Sequence, residues 1–186
     1  YVMCVVKTGG NHADLTSDYA SIPGEMKAVG GLLGANVLQE LSESKFKQNL
    51  KSIRSKLGDR SILRALHFYS ENKRVDQMVN ALESGDFHEY LEKVAASGAS
   101  SQNLLQNIIP LNSDGKDQNL AFALGISQIF LEERGRGVAR VHGGGFAGTI
   151  QAYVHELDYQ EYRSLMSDLL GDGAVEVLKI RNHGAG

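Results

Sequence analysis

The sequence is poor in the residues that mark several classes of protein. It has one cysteine, Cys4, which therefore forms no internal disulfide and which lies in an apolar run typical of a buried core. No apolar run approaches the roughly 18 residues of a membrane-spanning helix, and no signal peptide is recognisable. A net charge of -3 without a cluster of Lys and Arg disfavours a role in nucleic-acid binding. We therefore expect a cytoplasmic protein with no nucleic-acid and no membrane partner.

The composition that remains is that of an ordinary globular domain. The 186 residues are 42% hydrophobic and 22% charged, which suits one well-buried core. The sequence opens with Tyr1 inside an apolar run rather than with Met. We expect it to be part of a longer protein.

Glycine is most concentrated in the segment 143–148, which reads Gly-Gly-Gly-Phe-Ala-Gly. Consecutive glycines are unfavourable in helices and in strand interiors, so they indicate a backbone that needs unusual torsions or close approach. The spacing G-x-G-x-x-G matches a dinucleotide-binding fingerprint, but that fingerprint requires a strand before the glycines and a helix after them. Here apolar and polar residues alternate over 149–155, which predicts a second strand. The Rossmann interpretation is therefore rejected.

Two interpretations of this segment, which we call the glycine loop, stay open from the residues alone. The first is a tight hairpin whose turn needs positive φ values. The second is a loop whose bare backbone lies against an anion, or against another loop that holds one. Composition does not distinguish them.

Periodicity elsewhere predicts an α+β domain in which a sheet of about four strands is covered by helices. The predicted elements are, in order, a buried strand over 1–6, a helix with Pro23 in its first turn that runs to about Gly34, one helix over Ser42–Leu57, a helix over Arg60–Glu83, a helix after the capping pair Asp86 and Glu89, a short helix after the breaker cluster Ser97–Ser101, a helix over Gln118–Glu133, the two strands that flank the glycine loop, a helix after the capping pair Asp158 and Glu161, and a strand over Ala174–Ile180. The helical excursion thus covers about 22–134 of a single domain. The closing order of strand, strand, helix and strand is half of a split βαβ pattern.

The segment Ala139–Gly148 resembles the third signature motif of the galactokinases, within the GHMP family of small-molecule kinases. That motif usually reads G-A-R-M-T-G-G-G-F-G-G. The Gly-Gly-Gly-Phe core, Arg140 and the closing glycine are all present, whereas Val141, His142 and Ala147 depart from the usual residues. This motif is the most specific part of the resemblance.

The segment Gly9–Tyr19 is similar to the galactokinase segment that follows the catalytic half of those enzymes. There a histidine precedes, by seven residues, a tyrosine that hydrogen-bonds a sugar hydroxyl. The resemblance therefore implies sugar contact for Tyr19, the alternative being a tyrosine that packs on the domain surface. For His12 we expect a structural tie to backbone, because no second histidine or carboxylate is spaced with it for metal binding.

The segment Leu63–Val75 is similar to a family helix that reads R-A-x-H-x-x-x-E-x-x-R. His67 and Glu71 are four residues apart on one helix face, and we expect a structural pair rather than a reactive one. Arg64 and Arg74 are candidates to meet a phosphate, but their spacing does not distinguish them from surface charge.

One segment departs from the family pattern. Where typical galactokinases carry S-H-x-S-L and then an acidic-aromatic group near the sugar, this sequence has Ser97–Ser101 followed by Gln102–Asn107. Gly98 replaces the histidine. The departure allows a different sugar, or a relative with weakened catalysis.

Taken over nearly the whole length, the resemblance implies a GHMP-kinase C-terminal domain with a ferredoxin-like sheet at 1–186, whose partner is an N-terminal domain of the same protein. ATP and Mg²⁺ would bind mainly to that absent domain, which also supplies the phosphate loop and catalytic aspartate of the family. We expect no catalytic and no metal-binding residue in this chain. The resemblance assigns support of the nucleotide phosphates to the glycine loop, namely Gly143, Gly144, Gly145, Phe146 and Gly148.

The activity implied for the whole protein is transfer of the ATP γ-phosphoryl group to the 1-hydroxyl of galactose or a related sugar. Two alternatives stay open. One is a non-catalytic sugar sensor or regulator, which the residues around Gly98 favour. The other is a GHMP kinase for another small metabolite, such as a mevalonate- or homoserine-type substrate, against which Tyr19 and its surrounding loop argue.

Overall fold

A four-stranded sheet organises this computed structural model, which describes residues 1–10, 15–113 and 115–180. The strands are β1 (Val2–Lys7), β2 (Val138–His142), β3 (Thr149–Val154) and β4 (Val175–Val177). The helices are α1 (Thr16–Leu32), α2 (Glu43–Gln48), α3 (Leu50–Leu57), α4 (Asp59–Glu83), α5 (Phe87–Ser100), α6 (Asn119–Glu133) and α7 (Tyr159–Leu170). A 3₁₀ turn at Leu38–Glu40 and a π-helical turn at Ser101–Leu105 complete the regular structure.

The sheet has the strand order β2-β3-β1-β4, and all neighbouring strands are antiparallel. When the inserted helices α1 to α5 are set aside, α6 connects β1 to β2 and α7 connects β3 to β4. This is the split βαβ pattern of ferredoxin-like domains. The predicted α+β fold is confirmed. Helices α1 to α5 form an additional layer inserted between β1 and α6.

Both faces of the central strand β1 are covered, as its continuous apolar run predicts. Side chains alternate across a strand, so Cys4 and Val6 point to one face and Met3 to the other. The first face packs against α6 and α7, where Tyr162 and Met166 are fully buried. On the second face α5 packs its apolar side chains against Met3 and against residues of β2 and β3. None of the helices in the described part of the chain has the length and apolarity that crossing a membrane would need.

A second core lies within the inserted helical layer, between α1, the 3₁₀ turn and α2 to α4. Its fully or nearly fully buried members are Val29, Leu38, Leu41, Phe46, Ile53, Ala65 and Tyr69. The Tyr69 hydroxyl donates to the carbonyl of Leu41 at 2.9 Å, with the Leu38 carbonyl at 3.3 Å. The helices α1 to α4 thus have a core of their own, and α5 lies between α4 and the sheet.

The first helix begins earlier than predicted. It starts at Thr16, so Pro23 lies in its interior rather than in its first turn. A proline there cannot donate the usual hydrogen bond to the carbonyl four residues earlier. The helix continues through this position because tertiary contacts hold it: Asp18 and Val29 are buried, and Glu25 forms ion pairs with α4.

The single helix predicted over Ser42–Leu57 is two helices in the structure. Ser42 caps α2, and the break falls at Asn49, between α2 and α3. The Asn49 side-chain amide donates to the Lys45 carbonyl at 2.8 Å. Asparagine competes for backbone partners in this way, which favours a helix end over a helix interior.

The predicted break at Ser97–Ser101 is wrong, because α5 runs through it and continues directly into the π-helical turn. Serine disfavours helix interiors when its hydroxyl competes for backbone groups. Here the hydroxyls are occupied elsewhere, since Ser97 donates to Glu71 at 2.6 Å and Ser100 bonds His67 at 2.9 Å. Both partners lie on α4, so the serines join two helices instead of ending one.

Two capping predictions have different outcomes. Asp86 caps α5, its carboxylate accepting from the Glu89 amide at 2.8 Å. Asp158 stands at the start of α7 but makes no side-chain cap, because its carboxylate accepts from Arg136 at 2.7 Å and 3.0 Å instead. The closing strand is also shorter than predicted, with β4 limited to Val175–Val177.

Candidate functional site

The glycine loop connects β2 to β3 at one end of the sheet. Four of its six residues have positive φ, including Gly143 at 76°, Gly145 at 84° and Gly148 at 97°. The fourth is Phe146 at 59°, a value that is uncommon for a bulky residue. Phe146 is nonetheless buried, with 3% of its surface exposed. The hairpin interpretation is thus correct in its backbone, but the turn carries a buried aromatic anchor in addition.

Tyr19 on α1 lies directly against this loop. Its hydroxyl donates to the Gly145 carbonyl at 2.8 Å. Its ring covers Gly144 so closely that a Cβ added there would lie 2.8 Å from a ring carbon. The ring also meets Phe146 edge to face, with 5.6 Å between centroids. Burial raises the pKa of Tyr19, and the charge of Asp18 adds to the effect. The two segments singled out in the sequence are therefore neighbours in space.

Asn107 contacts the candidate site, which the sequence did not predict. It is 1% exposed and reaches the loop through both its backbone and its side chain. Its carbonyl accepts from the Phe146 amide at 2.5 Å, and its Nδ2 donates to the Gly144 carbonyl at 3.0 Å. A Cβ on Gly145 would overlap the Asn107 carbonyl oxygen. The sequence gives only a weak signal of this role, a polar Gln106-Asn107 pair between apolar residues ahead of Pro110.

Arg64 is neither a surface charge nor placed to meet a phosphate at the surface, because it is fully buried. Its Nε donates to the Leu105 carbonyl at 3.2 Å, and its Nη1 donates to Ser21 Oγ at 2.9 Å. The same Nη1 lies 3.0 Å from a carboxylate oxygen of Glu25, an ion pair without hydrogen-bond geometry. Arg64 thereby joins α1, α4 and the π-helical turn.

The predicted pair of His67 and Glu71 does not form. His67 Nδ1 bonds Ser100 Oγ, while Glu71 accepts from Ser97 and pairs with Arg74. Burial lowers the pKa of His67 to about 4, opposed by its bond to Ser100 and reinforced by nearby arginines. His67 is therefore neutral near pH 7 and acts as a link between α4 and α5. His12 lies outside the described residues.

A concavity of about 370 Å³ adjoins the glycine loop. It is lined by Gly9, Gly10, Ile108, Pro110, Asp117, Gln118, Asn119, Leu120, Phe146 and Ala147. Thr8, just before it, donates to the Gly148 carbonyl from both its amide and its hydroxyl, each at 2.9 Å. Within residues 1–10, 15–113 and 115–180, no group of three or more His, Cys, Asp or Glu side chains is placed to hold a metal ion. The glycine loop itself thus presents mainly backbone groups to this concavity.

Comparison with known proteins identifies relatives among the galactokinases. No family model matches the chain. The galactokinase of Actinobacillus pleuropneumoniae is 23% identical over 168 residues, which cover 90% of this chain and 41% of that protein. The galactokinase of Limosilactobacillus reuteri (strain DSM 20016) is 27% identical over 176 residues, which cover 92% of this chain and 41% of that protein. Among solved structures, Lactococcus lactis galactokinase complexed with galactose matches with a TM-score of 0.68 and 23% identity, over 95% of this chain and 44% of that one.

The resemblance to the galactokinases is confirmed. Proteins of that name match nearly the whole chain in sequence, and the structural match shows a shared fold. The chain spans about two fifths of the length of the curated relatives that it matches. This fraction agrees with the prediction that only the C-terminal part of a galactokinase-like protein is represented.

Within this galactokinase-like fold the predicted site residues separate into two groups. Tyr19 and the glycine loop meet at one end of the sheet, with Asn107 between the loop and the helical layer. The matched helix residues His67 and Glu71 lie at the contact of α4 and α5 instead, and have structural partners there. The resemblance in sequence thus covers both the candidate site and the contact of α4 with α5.

Proposed function

We propose that this chain is the C-terminal domain of a galactokinase-like sugar kinase, which transfers the γ-phosphoryl group of ATP to the 1-hydroxyl of galactose or a related sugar. One observation carries the proposal. Tyr19, to which the resemblance assigns sugar contact, is docked by its ring and hydroxyl onto the glycine loop, to which it assigns support of the phosphates. The two roles need adjacent positions, since the sugar hydroxyl and the phosphoryl group must meet.

Enzymes achieve phosphoryl transfer mainly by positioning and electrostatic stabilisation. Gly143 and Gly144 are exposed and carry no side chain, so another loop can approach the backbone there. Gly145 and Phe146 are buried and hold that surface in place. In this proposal the glycine loop braces the phosphate-binding loop of the N-terminal domain, while Tyr19 faces the sugar. A phenol can accept a hydrogen bond from a sugar hydroxyl while donating its own proton.

ATP and Mg²⁺ belong, in this proposal, to the N-terminal domain of the full-length protein. Their chemistry is to supply the phosphoryl group and to neutralise its charge. The described residues around the glycine loop include no cluster of carboxylates suited to a metal. This chain alone is therefore expected to release no ADP.

The proposal is tested by measuring ADP release from the full-length protein with galactose and a panel of other sugars and small alcohols, with this chain alone as control. Turnover that depends on a sugar supports it. The variant Gly144→Val should then lose activity about 100-fold, since a displacement near 1 Å in an active site has that scale. Its fold, followed by circular dichroism, should be kept. Full activity of this variant would contradict the assignment of the glycine loop to the catalytic cleft.

The matched control for that variant is Gly31→Val. Gly31 is exposed on α1 and has nothing within 4 Å of the position of an added Cβ. It should leave ADP release unchanged.

A non-catalytic sugar sensor is the second candidate, and the environment of Gly98 favours it. A Cβ at this position would lie 3.1 Å from the Cβ of Arg140, so the histidine typical of the family would require α5 or Arg140 to shift. Binding of galactose with no ADP release on any substrate would support the sensor and contradict the kinase. Turnover on a substrate other than a sugar would support a different GHMP kinase.

A further inference from the structure

We propose that Asn107 is a positioning residue, which sets the conformation of the glycine loop from the inserted helical layer. This inference rests on the proposed function for its effect on catalysis, but its effect on the loop stands on the contacts alone. Asn107 lies 37 residues before Gly144 in the sequence, on a different layer of the structure. Its role is to act through the loop, and we assign it no contact with substrate.

Asn107 holds the loop at two successive points. Its Nδ2 donates to the Gly144 carbonyl at 3.0 Å, and its own carbonyl accepts from the Phe146 amide at 2.5 Å. Between these points lies Gly145, whose missing side chain leaves room for the Asn107 backbone. The clamp thus fixes the residue that accepts from Tyr19 and the residue with an unfavourable positive φ.

The orientation of the Asn107 amide is itself determined by a neighbour. Ser101 Oγ donates to Asn107 Oδ1 at 2.8 Å, and both side chains are buried. A hydroxyl that donates to Oδ1 leaves Nδ2 pointing to the Gly144 carbonyl, so the side chain has one favourable orientation. An aspartate has the same shape and would keep the contact with Ser101. Its second carboxylate oxygen would face the Gly144 carbonyl oxygen, so that repulsion would replace the hydrogen bond.

The segment that carries Asn107 is also held from behind. Arg64 donates to the carbonyl of Leu105 at 3.2 Å, at the end of the π-helical turn. Gln106 then adopts a left-handed conformation with φ of 58°, and its amide bonds the Ser101 carbonyl at 2.8 Å. π-Helical turns are rare in proteins, and those that occur are often found at functional sites. The turn here aims Asn107 at the loop.

The decisive variant is Asn107→Asp in the full-length protein. We expect kcat to fall about 100-fold, because the loop would be displaced on the scale of 1 Å. The KM for the sugar should change less than kcat, because the backbone of Tyr19 belongs to α1, although its ring and hydroxyl contact the loop. Both constants are measured by ADP release and are expressed per folded molecule.

Asn103→Asp is the matched control. Asn103 is exposed on the same π-helical turn, and the substitution makes the same change of charge. Ser101→Ala should give a smaller loss of kcat than Asn107→Asp, and Ser101→Thr, which restores the hydroxyl, should recover it. This second series keeps the test decisive if Asn107→Asp folds poorly. A wild-type kcat in folded Asn107→Asp, or an equal loss in Asn103→Asp, would overturn the proposal.

A readout other than activity separates this inference from the proposed function. Amide hydrogen exchange of the loop 143–148 in the full-length protein should be faster in Asn107→Asp and Ser101→Ala than in wild type, and unchanged in Asn103→Asp. If the protein phosphorylates nothing and exchange still rises, the proposed function fails while Asn107 keeps its role. Unchanged exchange in Asn107→Asp contradicts the clamp whatever the activity.

Discussion

At the scale of single residues, the glycines of the loop meet different constraints. Gly143 needs a positive φ of 76° but has open space around it. Gly145 needs a positive φ of 84° and also lies against the backbone of Asn107. Gly144 has an ordinary φ and is limited only by the ring of Tyr19. The three glycines are therefore needed for different reasons: a positive φ at Gly143, a positive φ and a close backbone at Gly145, and a close aromatic ring at Gly144.

These constraints predict unequal effects of alanine. Gly143→Ala should lower the free energy of unfolding by about 1 kcal/mol, the cost of a non-glycine residue in the left-handed region. Gly145→Ala should cost about 3 kcal/mol or more, because the added methyl group also forces the Asn107 backbone to move. Urea denaturation of the two variants measures the difference. If both variants lost the same free energy of unfolding, the Asn107 backbone would move without cost, which would contradict a rigid contact between Asn107 and the loop.

His67 gives a prediction for the dependence of stability on pH. Its pKa is lowered from 6.5 to about 4, first by burial, so the folded protein favours the neutral ring. Below pH 6.5 the unfolded chain binds a proton that the folded chain does not, and stability falls as the pH decreases toward 4. The loss from this group should reach roughly 2–3 kcal/mol. Denaturation of wild type and His67→Gln from pH 7 to 4 measures it. The variant should show a shallower slope, and parallel slopes would contradict the assignment.

At the scale of elements, the contact of α4 with α5 explains why a serine-rich segment is helical. Two serine hydroxyls of α5 bond side chains of α4, and Gly98 lets α5 approach β2 at Arg140. This close approach places the following turn, and hence Asn107, next to the glycine loop. The departure from the family pattern at Gly98 is thus part of the packing of α5 onto the sheet.

Gly98→Ala and Gly98→His test this packing. Alanine gains about 1 kcal/mol of helix propensity, which the contact with Arg140 offsets in part. Histidine should destabilise the protein by about 2 kcal/mol, since the larger side chain must displace α5 or Arg140. Thermal unfolding measures both, with Gly31→His on the exposed side of α1 as control. A Gly98→His variant as stable as wild type would show that α5 is not closely packed there.

Helical periodicity predicts the existence of an element better than the face that it buries. In α4 the apolar residues Val75, Val79 and Leu82 have helical spacing, yet each is about half exposed. The buried residues of this helix include Arg64, Ala65 and Tyr69, in its first half. In α6, likewise, Phe122 and Ile129 are exposed. The buried face depends on which element lies opposite, and that is a property of the tertiary structure.

At the scale of the whole molecule, the candidate site is assembled from three distant parts of the chain. The hairpin of the sheet supplies the glycine loop, the start of the inserted layer supplies Tyr19, and its end supplies Asn107. The sheet and the helices α1 to α4 have separate cores. At the site Leu15, Phe146 and Ala147 form a small buried cluster of their own, with Tyr19 and Ile22 packed against it, so its geometry depends on both segments. In the proposed function, an N-terminal domain completes it from the other side.

The sequence by itself determined the features that rest on local physics. Alternation and continuous apolar runs predicted the four strands, the glycine triplet indicated a backbone that needs unusual torsions, and Asp86 marked a helix start. The resemblance of Ala139–Gly148 and Gly9–Tyr19 to galactokinase segments singled out Tyr19 and the glycine loop, which are in contact in the structure. These inferences succeeded because torsion preferences, periodicity and short motifs are encoded in neighbouring residues.

Only the tertiary structure decided what depends on distant partners. Pro23 stays within a helix because α4 holds it, the serines of α5 are helical because His67 and Glu71 occupy their hydroxyls, and Asn107 bonds a loop 37 residues away. The reason is physical: a buried polar group must find a hydrogen-bond partner, and the fold rather than the local sequence determines which groups are within reach.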